Sequence, residues 1–178
     1  MNEARRFSQD DPVYERFLQR QLEEGIELAR SSDLLSLHVP ALMPPHFVAE
    51  FRCKSLIRSN DGEILEADHF ELGIWLPPDF LRRASTFEIL RLFTPGVWHP
   101  NVSPHQPLIC IGQISPAMRL VDILYQVWDV LTYQKWNSRE YDALNKPACA
   151  WARNNQHRFP IDPRPLKRGT LALEALQI

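Results

Sequence analysis

An α+β fold built on an antiparallel sheet is predicted by three features of the sequence. An apolar stripe at helical spacing lies near the start, several segments then alternate apolar and polar residues, and helical spacing returns from Leu120 onward. Strands gathered in the middle and helices at the two ends suit a sheet with helices packed on it.

Pro12 suits the first turn of a helix over residues 12–30, whose apolar residues Leu18, Leu22, Ile26 and Ala29 form one stripe. Leu34 to Val39 reads as a short strand, interrupted by Pro40 and the Pro44-Pro45 pair. Phe47, Ala49, Phe51, Cys53 and Ile57 alternate with polar neighbours, the pattern of a strand with one wet face. Asn60-Asp61-Gly62 then supplies the positive φ angles of a tight hairpin turn. Phe70, Leu72, Ile74 and Leu76 repeat the alternation, as do Phe87, Ile89 and Phe93, which completes a four-stranded antiparallel meander. Leu120, Ile123, Leu124, Val127 and Leu131 form the stripe of a buried central helix, with Tyr125, Trp128 and Tyr133 beside it. A last helix is expected from about Leu144, with Leu144, Ala148, Ala152 and Phe159 on one face, ending at Pro160. This divides the chain into an extension over 1–11, one domain over 12–160, and a tail over 161–178. The tail carries Leu171, Leu173, Leu176 and Ile178 and is expected to pack on the domain rather than to recruit a partner.

Composition limits the function. At 178 residues and 44% apolar content the chain is long enough for one ordinary core. A net charge of −2 gives no basic excess with which to hold nucleic acid. No apolar run reaches the about 20 residues of a membrane helix, and Met1-Asn2-Glu3-Ala4-Arg5-Arg6 does not lead into the apolar stretch of a secretory signal, so a cytoplasmic protein is expected. The three cysteines at 53, 110 and 149 and the six scattered histidines lack metal-ligand spacing, and no metal or cofactor is expected. Cys53 is in phase with core residues and Cys149 neighbours the apolar face of the last helix, so both read as structural. Cys110 differs: it follows a loop containing Pro104 and Pro107 and precedes Gly112, which puts it on irregular backbone at the edge of the domain.

Trp98-His99-Pro100-Asn101-Val102, with Cys110 soon after, resembles the active site of ubiquitin-conjugating enzymes. The order of the surrounding segments strengthens the likeness. Phe70 to Phe80 is similar to the family's strand running into a Pro-x-Asp-Tyr turn, Ser115-Pro116-Ala117 follows the cysteine, and Asp142-Ala143-Leu144-Asn145 is similar to the family's Asp-Pro-Leu-Asn before the next helix. The resemblance covers about residues 12–160 and implies the ubiquitin-conjugating fold: an N-terminal helix, a four-stranded meander, an active-site loop, and two or more C-terminal helices.

The resemblance also implies roles. Cys110 accepts a ubiquitin-like protein as a thioester from an activating enzyme and passes it to an amine of a target protein, so it needs exposure more than a strongly depressed pKa. Asn101 supports the loop or the oxyanion formed on amine attack, a use that suits a neutral donor. His99 and Pro100 shape the corner. Asp142 orients the incoming lysine, caps the next helix, or does both. ATP is spent upstream, and no cofactor is required.

Several positions depart from the family pattern. His99 and Cys110 are eleven positions apart, one more than is usual. Leu81 to Thr86 replaces a proline-rich run, and the segment before Ser115-Pro116 is shortened and lacks an expected tryptophan. These features suggest a divergent branch, such as bacterial ubiquitin-conjugation-like systems, for which antiviral defence is a reasonable setting. Two rivals remain: a non-catalytic binding module of the same fold, which typically lacks the cysteine, and a cysteine hydrolase pairing Cys110 with His99 or His105.

Overall fold

The computed structural model describes residues 11–40 and 46–168. Helix α1 (Pro12–Arg30) begins where Asp11 accepts the Val13 backbone N–H at 2.9 Å, with Pro12 in its first turn. Strands β1 (Leu35–His38), β2 (His46–Phe51), β5 (Phe70–Trp75) and β6 (Leu90–Leu92) form an antiparallel sheet in that order. Its inward register pairs Phe47 with Ile74, Ala49 with Leu72, and Phe51 with Phe70. Against this face lie α1 and α3 (Leu120–Leu131), whose Leu120, Ile123, Leu124 and Val127 are fully buried. Each such aliphatic side chain contributes about 1.5–3 kcal/mol through burial, which makes this layer the main source of stability.

Single polar side chains set how the layers meet. Gln21, on the buried side of α1, accepts the Leu120 backbone N–H at 2.7 Å and satisfies a group that α3's first turn leaves open. The Tyr14 hydroxyl donates to the Leu76 carbonyl at 2.6 Å, and burial pushes the phenol up to about 12.

The expected four-stranded antiparallel sheet is present, and the middle of the chain adds a hairpin to it. The alternation from Phe47 to Ile57 is broken at residues 52–54, after which β3 (Ser55–Arg58) pairs with β4 (Ile64–Ala67) in a separate two-stranded sheet. Asn60-Asp61-Gly62 forms the turn of this hairpin, with Gly62 at φ +91°. The strand expected through Phe87, Ile89 and Phe93 is also corrected. Thr86–Ile89 is a single helical turn, α2, which shifts the phase so that Leu90 and Leu92 of β6 face inward while Phe87 and Phe93 are exposed.

The last helix, α4, is shorter than expected, spanning Lys146–Asn154, and a 3-10 turn over Gln156–Arg158 follows it. Beyond Pro160 the chain remains on the domain. Leu166 is buried in the main core, Asp162 accepts the Lys54 backbone N–H at 3.3 Å, and the Arg168 N–H reaches the Ser31 carbonyl. The leucines of residues 171–178 lie outside the described residues. No helix among the described residues is long and apolar enough to cross a membrane.

Candidate active site

The site is built from three segments, of which the second and third follow one another in the chain. The first is a narrow hairpin. Cys110 donates its N–H to the Asn101 carbonyl at 2.8 Å, Val102 bridges Ile109, and the Ser103 N–H bonds the Leu108 carbonyl at 2.9 Å. Cys110 thus stands at the base of this hairpin opposite Asn101, partly exposed, while His105 is in its exposed tip.

Asn101 holds the hairpin to the second segment. Its side-chain amino group donates to the Cys110 carbonyl and its amide oxygen accepts the Asn137 N–H, both at 2.8 Å. One amide therefore joins the Cys110 backbone to the loop after α3. Cys149 adds a further tie, its thiol donating to the Asn137 carbonyl. On the other side of Cys110, the Lys135 ammonium donates to the Ile111 carbonyl and lies beside Gly112, whose φ of +100° turns the chain away.

His99 is entirely buried. Its Nδ1 accepts the Asn101 backbone N–H at 3.0 Å, which puts the ring proton on Nε2, and its ring meets Tyr133 edge-on with centroids 4.4 Å apart. Burial lowers its pKa to about 3, so the imidazole is neutral. Tyr133 itself takes φ +58°, an uncommon backbone for an aromatic residue, immediately after α3. Its hydroxyl donates to the Trp98 carbonyl and its ring packs on Phe159. The corner is thereby fixed from behind by an aromatic cluster rather than by the main core.

The third segment carries Asp142. The expectation that Asp142 caps the last helix is corrected: it lies in a separate 3-10 turn, Glu140–Asp142, and is exposed. Asn145 is the cap, accepting the Ala148 N–H at 3.0 Å through its side chain and giving its own N–H to the Pro100 carbonyl at 3.1 Å. The stretch bearing Asp142 is thus pinned to the His-Pro-Asn corner at both ends, by Asn137 to Asn101 and by Asn145 to Pro100. Sequence reasoning missed Lys135, Asn137 and Asn145. Only Asn145 left a signal, as an Asn three residues before Ala148 with Pro147 in the first turn.

Cys53 is fully buried, and burial followed by the nearby Asp162 carboxylate pushes its thiol up to about 12. Cys149 is also buried, which leaves Cys110 as the cysteine with solvent access.

The architecture is that of ubiquitin-conjugating enzyme domains. The structure superposes on a ubiquitin-conjugating enzyme E2 domain from Toxoplasma gondii with a TM-score of 0.54 at 20% identity, covering 79% of this chain and 90% of that one. It also matches a putative ubiquitin-conjugating enzyme from Plasmodium yoelii, with a TM-score of 0.52 at 18% identity, covering 85% of this chain and 88% of that one. No protein-family model matches the sequence, and no curated protein does. At these identities the shared property is the fold.

Proposed function

We propose that the protein carries a ubiquitin-like modifier as a thioester on Cys110 and transfers it to an amine, a lysine of a target protein. The observation that carries this reading is the placement of Cys110: partly exposed on a fold of the conjugating type, with both its N–H and its C=O bonded to Asn101. In loading, the Cys110 thiolate attacks the thioester that joins the modifier's C-terminal carbonyl to the activating enzyme, and that enzyme's thiolate leaves. In discharge, a lysine amine attacks the Cys110 thioester, the C–N bond forms, the C–S bond breaks, and the amine's proton passes to solvent. Asn101 keeps the thioester carbon at a fixed height, since its donor is already engaged by the Cys110 carbonyl. Asp142, exposed on its pinned turn, accepts hydrogen bonds from the arriving amine. The activating enzyme, the modifier and the target are the implied partners, and ATP is consumed before this step.

The hydrolase reading that pairs Cys110 with His99 is disfavoured because His99 is sealed from solvent and its Nδ1 already accepts a backbone N–H. The binding-module reading leaves the support around Cys110 without a use. When the protein is incubated with an activating enzyme, ATP and a ubiquitin-like protein, a non-reducing gel should show a conjugate that reductant removes. Cys110→Ser should give a slowly hydrolysed oxyester, while Cys53→Ala and Cys149→Ala should still charge. Charging of Cys110→Ala would overturn the proposal.

A further inference from the structure

Cys110, Ile111 and Gly112 present three successive carbonyls, and among the described residues no backbone N–H bonds any of them. Each is taken instead by a side chain from a different part of the fold. The Asn101 amino group donates to the Cys110 carbonyl at 2.8 Å, the Lys135 ammonium to the Ile111 carbonyl at 2.5 Å, and the Thr86 hydroxyl to the Gly112 carbonyl at 2.9 Å. Asn101 and Thr86 are buried, whereas Lys135 is exposed and is the one cation of the three. Holding a long exposed side chain costs entropy, which here is offset by a charge-assisted hydrogen bond.

The path of Lys135 follows from the turn after α3. Tyr133, at φ +58°, turns the chain back, and the Lys135 N–H returns to the Asp129 carbonyl at 2.8 Å. The ammonium also reaches the Gln126 Oε1 at 3.3 Å, and its charge opposes the rise that burial imposes on the Asp129 carboxyl. Gly112 leaves the space for it. A Cβ at Gly112 would stand 3.1 Å from the Lys135 Nζ and 3.7 Å from its Cε, and the φ of +100° disfavours any side chain there. Lysine and glycine thus fit as a pair directly after the cysteine.

The consequence falls on the backbone of Cys110. The Ile111 side chain is fully buried, and the carbonyls of the two peptides that flank it are both held. Neither peptide can rotate without breaking a hydrogen bond, and one of those bonds carries a full charge.

We propose that Lys135 is a positioning residue for transfer from Cys110. By fixing the Ile111 carbonyl it fixes the backbone from which the Cys110 Sγ projects, and hence where a thioester carbon on that sulfur meets an arriving amine. The role involves no proton transfer by Lys135. It rests on the thioester reading given above.

Two measurements on the full chain test the role, the first without any modifier. In ¹⁵N-labelled protein, Lys135→Met should speed hydrogen exchange of the Cys110 amide, which bonds the Asn101 carbonyl, by about tenfold, while the Ile123 and Leu124 amides of α3 exchange as in the parent. In single-turnover discharge of the charged protein to free lysine, the same variant should lower the maximal rate about tenfold and leave the half-saturating lysine concentration unchanged. Lys135→Arg keeps the charge and the donors and should restore most of the rate. The proposal is overturned if the Cys110 amide exchanges as in the parent, if discharge keeps its parental maximal rate, or if Lys135→Arg is as slow as Lys135→Met. Equal acceleration of exchange in α3 would also overturn it, by making the loss one of general stability. A parent that never charges defeats the thioester reading and this role with it, whereas a charging parent beside a variant that discharges normally defeats the role of Lys135 alone.

Discussion

The helix-on-sheet layer and the corner around Cys110 are held together by different physics. In the first, α1 and α3 cover the sheet with side chains such as Leu72, Ile74, Ile123 and Leu124, and stability is spread over many interchangeable aliphatic contacts. In the second, a few polar groups are each used once. Asn101 joins two segments, Asn145 caps α4 while holding Pro100, and Tyr133 spans from α3 to the Trp98 carbonyl. The contrast separates roles: the layer makes the domain stable, and the corner fixes where one thiol stands.

The comparison breaks most visibly in acid. The folded His99 pKa, about 3, lies below its ordinary value of 6.5, so the unfolded chain binds the extra proton. Its contribution is therefore fully present above pH 6.5 and is lost as pH falls toward 3, up to roughly 4–5 kcal/mol over the whole window. Asp162, held near 2 by Arg164, adds its own loss only below its ordinary value of 3.8. Urea midpoints between about pH 6.5 and 4.5 should thus fall steeply in the parent and remain nearly flat in His99→Gln. Parallel slopes would remove His99 as the cause.

Leu124→Ala addresses the other region. It should cost about 2–5 kcal/mol in urea unfolding, yet leave the rate of thioester discharge unchanged at temperatures where the variant is folded. A specific loss of discharge would mean that the two regions are not separable.

Asn101→Ala should cost less stability, about 1–3 kcal/mol, by leaving the Asn137 N–H and the Cys110 carbonyl unmatched. Single-turnover assays should show discharge slowed about 10- to 100-fold, more than loading, through misplacement of the thioester. Small and equal effects on the two steps would reduce Asn101 to an ordinary loop residue.

The smallest change in stability belongs to Asp142→Asn, within about 0.5 kcal/mol of the parent because the residue is exposed and does not cap α4. Discharge to free lysine should nevertheless slow, with the deficit shrinking as pH rises and more amine is already deprotonated. Normal discharge at every pH would leave Asp142 as a surface residue.

The two regions also differed in how legible they were. Periodicity revealed α1 and α3 because burial against a broad layer imposes a repeating pattern on the sequence. It misread residues 86–93, where one helical turn changes the phase, and it joined β2 to β3 because Cys53 stays in phase although the strand has ended. At the corner, the His-Pro-Asn triplet and Cys110 were visible as a local motif. Asn137 and Lys135 were not, because their roles arise from contacts across 36 and 24 positions of sequence, and a single hydrogen bond leaves no period. The cap, one of the two readings left open for Asp142, is provided by Asn145, since both residue types serve equally well and only the path of the chain distinguishes them.

The central claim is that Cys110 is the atom-level point of attachment, and peptide mapping of the charged protein tests it most directly. The reductant-sensitive conjugate, digested under non-reducing acidic conditions, should yield a peptide in which the modifier's C-terminal residue is joined to Cys110, with Cys53 and Cys149 recovered as free thiols. Recovery of the modifier on Cys53, on Cys149 or on a lysine, with Cys110 unmodified, would contradict it.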